Sequence, residues 1–218
     1  MIRISLTAAT LLASVSLAAT ASARPMTPED VARLEAVGSV AVSPDGTRIA
    51  YTSAKLPDIT AGEDNGTTRS ALNLAWSADN AREFLPQDVN PGSVKFSPDG
   101  RMVSFLWAKG DEKRSVWAIP VDGGAQRKLA EVKDTAVRQY AWSPDGATIY
   151  LLTGAEADKA REKQAKAGFN AVVYEEESQM NRLFAAKVGE EPDAAPRAIP
   201  LTGFVSEVQI LPDGKSAV

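Results

Sequence analysis

Apolar positions along this chain fall in short alternating runs, punctuated by one recurring turn signal. Ser43-Pro44-Asp45-Gly46, Ser97-Pro98-Asp99-Gly100 and Ser143-Pro144-Asp145-Gly146 are three copies, and Leu211-Pro212-Asp213-Gly214 differs from them only in its first residue. The flanks repeat in register. Two residues before each proline stand Val42, Phe96, Trp142 and Ile210, and four before stand Val40, Val94, Tyr140 and Val208. Three after each glycine stand Ile49, Val103, Ile149 and Ala217. Alternation on both sides of a turn predicts a β-hairpin. The turn residues agree: proline presets φ at the second position, aspartate suits the third, and glycine supplies the positive φ that closes the hairpin.

Two further strand-like runs follow each hairpin, at 72–76 and 83–85, then 116–121 and 127–130, then 183–188 and 198–201. Asp122-Gly123-Gly124 is the turn between the middle pair. Four strands per repeat, at a period of about 40–50 residues, predict propeller blades. The proline-to-proline spacings are 54, 46 and 68. The first carries a polar loop around 57–69 and the third a charged insertion at about 155–177. Residues 155–168, rich in Ala, Lys, Glu and Asp, have a composition that favours helix but no apolar stripe, and read as a solvated surface helix or a mobile loop. The expected fold is therefore all-β: a partial β-propeller of about three and a half four-stranded blades over residues 40–218. An open propeller fragment leaves a blade face uncovered, so a piece of a longer protein is expected.

Before the first blade, residues 24–39 form a lead-in segment. Thr27 can cap a short helix with Pro28 in its first turn and Glu29 and Asp30 beside them. Val31, Leu34 and Val37 share a helical face that Gly38 is expected to end. Residues 1–23 read as a secretory signal peptide: Arg3, an apolar run softened by Ser and Thr, and the small-x-small site Ala21-Ser22-Ala23. The apolar run is short for a membrane span. A periplasmic or secreted location is expected, with no membrane span once the signal is removed.

Composition narrows the chemistry. Among 218 residues there is neither Cys nor His, and net charge is −4. Disulfides and thiolate zinc sites are excluded, as is the commonest general base. The acidic balance gives no footprint for nucleic acid. Asp45, Asp99, Asp145 and Asp213 recur as turn residues rather than metal ligands, and no cofactor is expected. Trp76, Trp107, Trp117 and Trp142 sit among apolar strand neighbours as inter-blade core. Asn65-Gly66-Thr67 matches a glycosylation acceptor, but with Gly after Asn it is more simply a turn.

The order Thr27-Pro28-Glu29-Asp30, Val37-Gly38, Val42-Ser43-Pro44-Asp45-Gly46 and Ile49-Ala50-Tyr51 resembles the start of the propeller in exported peptidases of the prolyl oligopeptidase family, of dipeptidyl-peptidase and acylaminoacyl-peptidase type. The later hairpins fit that family and TolB-like propellers alike. The resemblance implies a substrate-gating propeller over an α/β-hydrolase domain that holds Ser, Asp and His, with short peptides as substrates. This chain has no Gly-x-Ser-x-Gly elbow and no His, so it holds no catalytic residue of such a triad, and the hydrolase domain is the expected missing partner. The other reading is a non-enzymatic TolB-like propeller that binds periplasmic proteins. Tyr174-Glu175-Glu176-Glu177 resembles the run in which paired glutamates of dipeptidyl peptidases hold the substrate's free amine, which points to Glu176 and Glu177. The same acids also read as a solvated loop before the strand at 183–188.

Overall fold

Each Ser-Pro-Asp-Gly quartet folds as a self-bonded clamp. In the computed structural model Gly46 N–H donates to Ser43 O at 2.9 Å, as Gly100 does to Ser97 O at 2.8 Å and Gly146 to Ser143 O at 2.9 Å. The three glycines have φ of +71°, +70° and +71°, a conformation that a side chain disfavours. The serine hydroxyl donates to the aspartate Oδ1 at 2.5, 2.6 and 2.5 Å. It also accepts the backbone N–H of Arg48, Met102 or Thr148, each at 2.9 Å. The aspartate accepts the N–H just after the glycine at 3.0–3.1 Å. Two short side chains thus satisfy the turn's backbone donors, and the hairpin register follows.

The structure describes residues 24–64, 66–86, 89–133, 135–155, 159–169, 180–189, 191–192, 195–201, 203 and 205–214. Three antiparallel meanders of four strands result. The first holds β1 (Glu35–Val42), β2 (Ile49–Lys55), β3 (Arg69–Ser77) and β4 (Asn80–Leu85). The second holds β5 (Gly92–Phe96), β6 (Met102–Trp107), β7 (Ser115–Pro120) and β8 (Arg127–Ala130). The third holds β9 (Val137–Trp142), β10 (Thr148–Thr153), β11 (Arg182–Lys187) and β12 (Arg197–Ile199). These are the expected blades, and the fold is a partial β-propeller. The Leu211–Gly214 turn opens a fourth repeat with the same bond, Gly214 N–H to Leu211 O at 2.9 Å, but without a hydroxyl clamp. Gly123 has a positive φ and its N–H bonds Pro120 O at 2.9 Å, as a hairpin turn requires.

Blades stack face to face. Leu72 and Leu74 of the first blade bury against Val94, Val103 and Phe105 of the second. Leu106, Val116 and Leu129 of the second bury against Tyr140, Ile149 and Leu151 of the third. Leu152 and Leu183 of the third meet Val208 of the fourth repeat. One polar network crosses the second interface. Ser104 Oγ lies 2.9 Å from the Tyr140 hydroxyl and accepts from Trp142 Nε1 at 2.9 Å. Burial pushes the Tyr140 phenol well above its ordinary pKa, so it stays neutral and bonded.

Two expectations are corrected. The first helix, α1, spans only Pro28–Ala32, and Gly38 lies inside β1. Thr27 caps it in a reciprocal box with Asp30, and Arg24 pairs with Asp30 at 2.6 Å, which holds that carboxyl down at about 2. Beyond one turn, the apolar residues alternate as a strand, and a Cβ on Gly38 would meet Thr52 Oγ1 at 2.6 Å. Among the tryptophans, Trp117 is buried and Trp107 and Trp142 pack against the cores, but Trp76 is exposed with the Arg82 guanidinium 4.9 Å above it. On the same blade Val40, Val42 and Ile49 are exposed although their counterparts in the next two blades are largely covered. Of the two readings of the charged insertion, a helix is found at α2 (Lys159–Lys166).

Ser97→Ala removes a hydroxyl that bonds three ways, and Gly100→Ala forces a side chain into positive φ. Each is expected to lower unfolding free energy by about 1–2 kcal/mol in urea titration. A smaller effect from both would show that the clamp is not what sets the hairpin. Hydrogen bonds from Ser43 and Thr47 hold the Asp45 carboxyl down at about 2, and matching bonds lower Asp99 and Asp145. With folded values below the unfolded value near 3.9, the contribution is complete above about pH 4 and is lost as pH falls through the folded values. Replacing the three aspartates with asparagine is expected to flatten the loss of stability between pH 4 and pH 2 in a thermal-melt series.

Candidate functional site

The connections of each blade are unequal at its two ends. The clamps lie at one end. The links from second to third strand lie at the other, and they are the long ones: 56–68, 108–114 and 154–181. Loops gathered on one face of a repeat array are the usual place for binding. The starts of the first strands, β1, β5 and β9, lie at this same end. They run beside one another: Ser93 N–H donates to Ser39 Oγ at 3.1 Å, and Val208 N–H to Gln139 Oε1 at 3.0 Å.

Helix α1 anchors to this face. Arg33 Nε donates to Asp58 Oδ2 at 3.2 Å, and Asp58 Oδ1 accepts from Ala61 N–H at the one-turn 3-10 helix Ile59–Ala61. Asp58 is buried, so the ion pair ties the lead-in segment to the first long loop.

The second blade adds an aromatic cluster. Trp107 and Trp117 meet edge to face at 4.8 Å, and Lys109 Nζ lies 5.7 and 5.4 Å from the two rings. Lys128 Nζ lies 5.5 Å from the Trp117 ring and pairs with Glu112 and Glu131, each at 2.7 Å. Burial alone would lower the Lys128 ammonium, but its bonds to the two carboxylates outweigh that and raise it. The cluster's charges are matched internally, so it stiffens the loop 108–114 rather than presenting an empty site.

At the third blade the loop face opens into a cavity of about 370 Å³, lined by Arg138, Gln139, Leu152, Asn181, Ser206 and Glu207. Arg138 Nη1 donates to Asn181 Oδ1 at 3.2 Å. Asn181 Nδ2 in turn donates to Val205 O at 2.6 Å, which straps the fourth repeat to the third blade. Gln209 Nε2 donates to Glu207 Oε1 at 2.9 Å.

Glu176 and Glu177 lie outside the described residues. The connection that carries them leaves after β10 and returns at Met180 to β11, the third strand of its blade. Asp45, Asp99 and Asp145 are placed at the opposite end, with their carboxylates spent on their own turns. Sequence reasoning missed Arg138 and Asn181. A signal was present: six residues before the proline of each turn stand Gly38, Gly92, Arg138 and Ser206, so one charged residue occupies a position that is otherwise small.

No protein-family profile matches the chain. It is 26 % identical over 157 residues to the uncharacterized peptidase YuxL of Bacillus subtilis, an alignment covering 67 % of this chain and 22 % of that protein. Its fold is similar to the Pyrococcus horikoshii acylaminoacyl peptidase, with TM-score 0.55 and 11 % identity over 79 % of this chain and 26 % of the other. It is also similar to TolB from Acinetobacter baumannii, with TM-score 0.53 and 14 % identity over 83 % of this chain and 36 % of the other. The chain thus spans about a fifth of its curated relative and about a quarter of the acylaminoacyl peptidase. In sequence the chain is thus similar to part of a protein named as a peptidase, and in fold to part of an acylaminoacyl peptidase and of TolB.

Proposed function

We propose that this chain is the substrate-gating propeller portion of an exported serine peptidase that hydrolyses short peptides, and that the catalytic α/β-hydrolase domain lies outside these residues. The observation that carries the reading is the sequence match to a protein named as a peptidase, joined to a fold that such peptidases share. Two further observations support it. The chain has no His, so acyl transfer by a Ser–His–Asp triad needs another domain. The outer face of the first blade leaves Val40, Val42 and Ile49 exposed, as expected of a propeller whose remaining blades belong to the same protein.

In this role the propeller would admit short peptides and exclude folded proteins, and its long-loop face would meet them. Glu176 and Glu177 would hold the peptide's free amine through charge-assisted hydrogen bonds, fixing the distance from chain end to scissile bond. Export rests on Arg3, the apolar run and Ala21-Ser22-Ala23, with Arg24 as the mature first residue. That pattern supports a periplasmic or secreted location. Among the described residues no helix is long and apolar enough to cross a membrane. The similarity to TolB favours one other reading, a non-enzymatic propeller that binds periplasmic proteins.

The deciding assay is hydrolysis of dipeptidyl and N-acetylated chromogenic substrates by the protein of natural length. Turnover blocked by a serine-directed fluorophosphonate is expected, and its absence would favour the binding module. Glu176→Gln and Glu177→Gln are expected to raise KM about tenfold or more for substrates with a free amine while sparing N-acetylated ones. Equal effects on both would remove the amine anchor.

A further inference from the structure

Arg138 is built into the loop face by three features that the other blades do not combine. It occupies a bulge of β9: Val137 pairs with Thr153 and Gln139 with Leu152, which leaves Arg138 as the extra residue. A bulge bends the strand and re-aims the side chain it carries. The first strands of the other described blades are also irregular at this end, between Val37 and Val40 and between Gly92 and Lys95. There, the residue at the same offset from the turn proline as Arg138 is a glycine, Gly38 or Gly92.

The second feature lies across the strand pair. A Cβ on Gly154 would sit 2.8 Å from Arg138 Nη2 and 3.0 Å from Cζ. The guanidinium therefore lies against bare backbone, and only glycine permits that seat. Ten residues after the turn proline, the corresponding positions are Ala54, Ala108 and Gly154. The one blade with arginine at the bulge is the one with glycine opposite.

The third is what the guanidinium lacks. Arg138 is exposed, and among the described residues its side-chain partner is Asn181, with no carboxylate within ion-pair distance. A guanidinium carries five N–H donors in a planar fork that matches a carboxylate. Asn181 holds Nη1, Gly154 lies against Nη2, and Arg138 lines the cavity of about 370 Å³. Glu207 lines the same cavity, so the walls carry both signs, which suits a ligand bearing one carboxylate better than a polyanion.

We propose that Arg138, seated on Gly154 and oriented by Asn181, is a carboxylate-binding site on the loop face, and that its ligand is the carboxylate of a peptide. The choice of a peptide rests on the peptidase reading, whereas the carboxylate site rests on the geometry alone. Two peptide groups have this chemistry, the C-terminus and an Asp or Glu side chain. Asn181 is a positioning residue, since it reaches the ligand only through Arg138.

The test is calorimetric titration of the natural-length protein after fluorophosphonate treatment, so that no peptide bond is cut. The probes are tetra-alanine with a free C-terminus, tetra-alanine amide, and an amidated tetrapeptide with one aspartate. Wild type is expected to bind at least one of the carboxylate peptides about tenfold or more tightly than tetra-alanine amide, and which one identifies the source. Arg138→Gln is expected to abolish that preference without shifting the melting temperature, and Gly154→Ala to weaken it by displacing the guanidinium. Equal binding of all three peptides by wild type, no binding of any, or an undiminished preference in Arg138→Gln would overturn the proposal. Hydrolysis by untreated protein is scored separately, so the peptidase reading can fail while the carboxylate site stands.

Discussion

The hydrogen bond from a serine hydroxyl to an aspartate two residues on is the contact from which the rest of this structure is organised. It fixes a turn of four residues, and the turn fixes which residues of the first and second strands stand opposite. Val42 then pairs with Ile49, Phe96 with Val103 and Trp142 with Ile149. A slip of one residue would exchange the two faces of the hairpin. The cores between blades, Leu72 and Leu74 against Phe105 and then Leu106 and Val116 against Tyr140, exist only because that slip does not occur.

Much of the fold was legible because the same local chemistry is written repeatedly. Proline, aspartate and glycine at fixed offsets, with apolar residues at −2, −4 and +3, specify a hairpin without reference to anything distant. The strands that follow each hairpin were legible for the same reason. The lead-in segment misled because Val31, Leu34 and Val37 fit a helical face, while the choice between helix and strand beyond Ala32 is made by a tertiary contact, the approach of Thr52 to Gly38. Propensity does not carry that information. Trp76 misled in a related way: it stands at the end of β3, exposed beneath Arg82, and alternation alone does not show how far along a strand burial extends.

The candidate site was less legible than the fold. Arg138 matters through its pairing with Gly154 across a bulge and with Asn181 across a long insertion. None of these relations follows from the local pattern around any one residue. Only the repeat makes them visible, because the other copies show what ordinarily stands at each position. The acidic run 175–177 was conspicuous for the opposite reason: its signal is composition, which speaks of chemistry and not of place.

The clamps also touch one another. A Cβ added to Gly100 would lie 3.5 Å from Pro44 Cδ, and at Gly146 and Gly214 the contact is 3.6 Å, with Pro98 and Pro144. Each turn's glycine therefore rests on the proline ring of the turn before it, like the overlapping ribs of a folding fan at the rivet. The contact recurs whether the link at the far rim is short, as at 108–114, or long, as at 154–181. A lineage could lengthen, charge or exchange its rim loops while the pivot kept count, so new binding surfaces could be tried without refolding the fan.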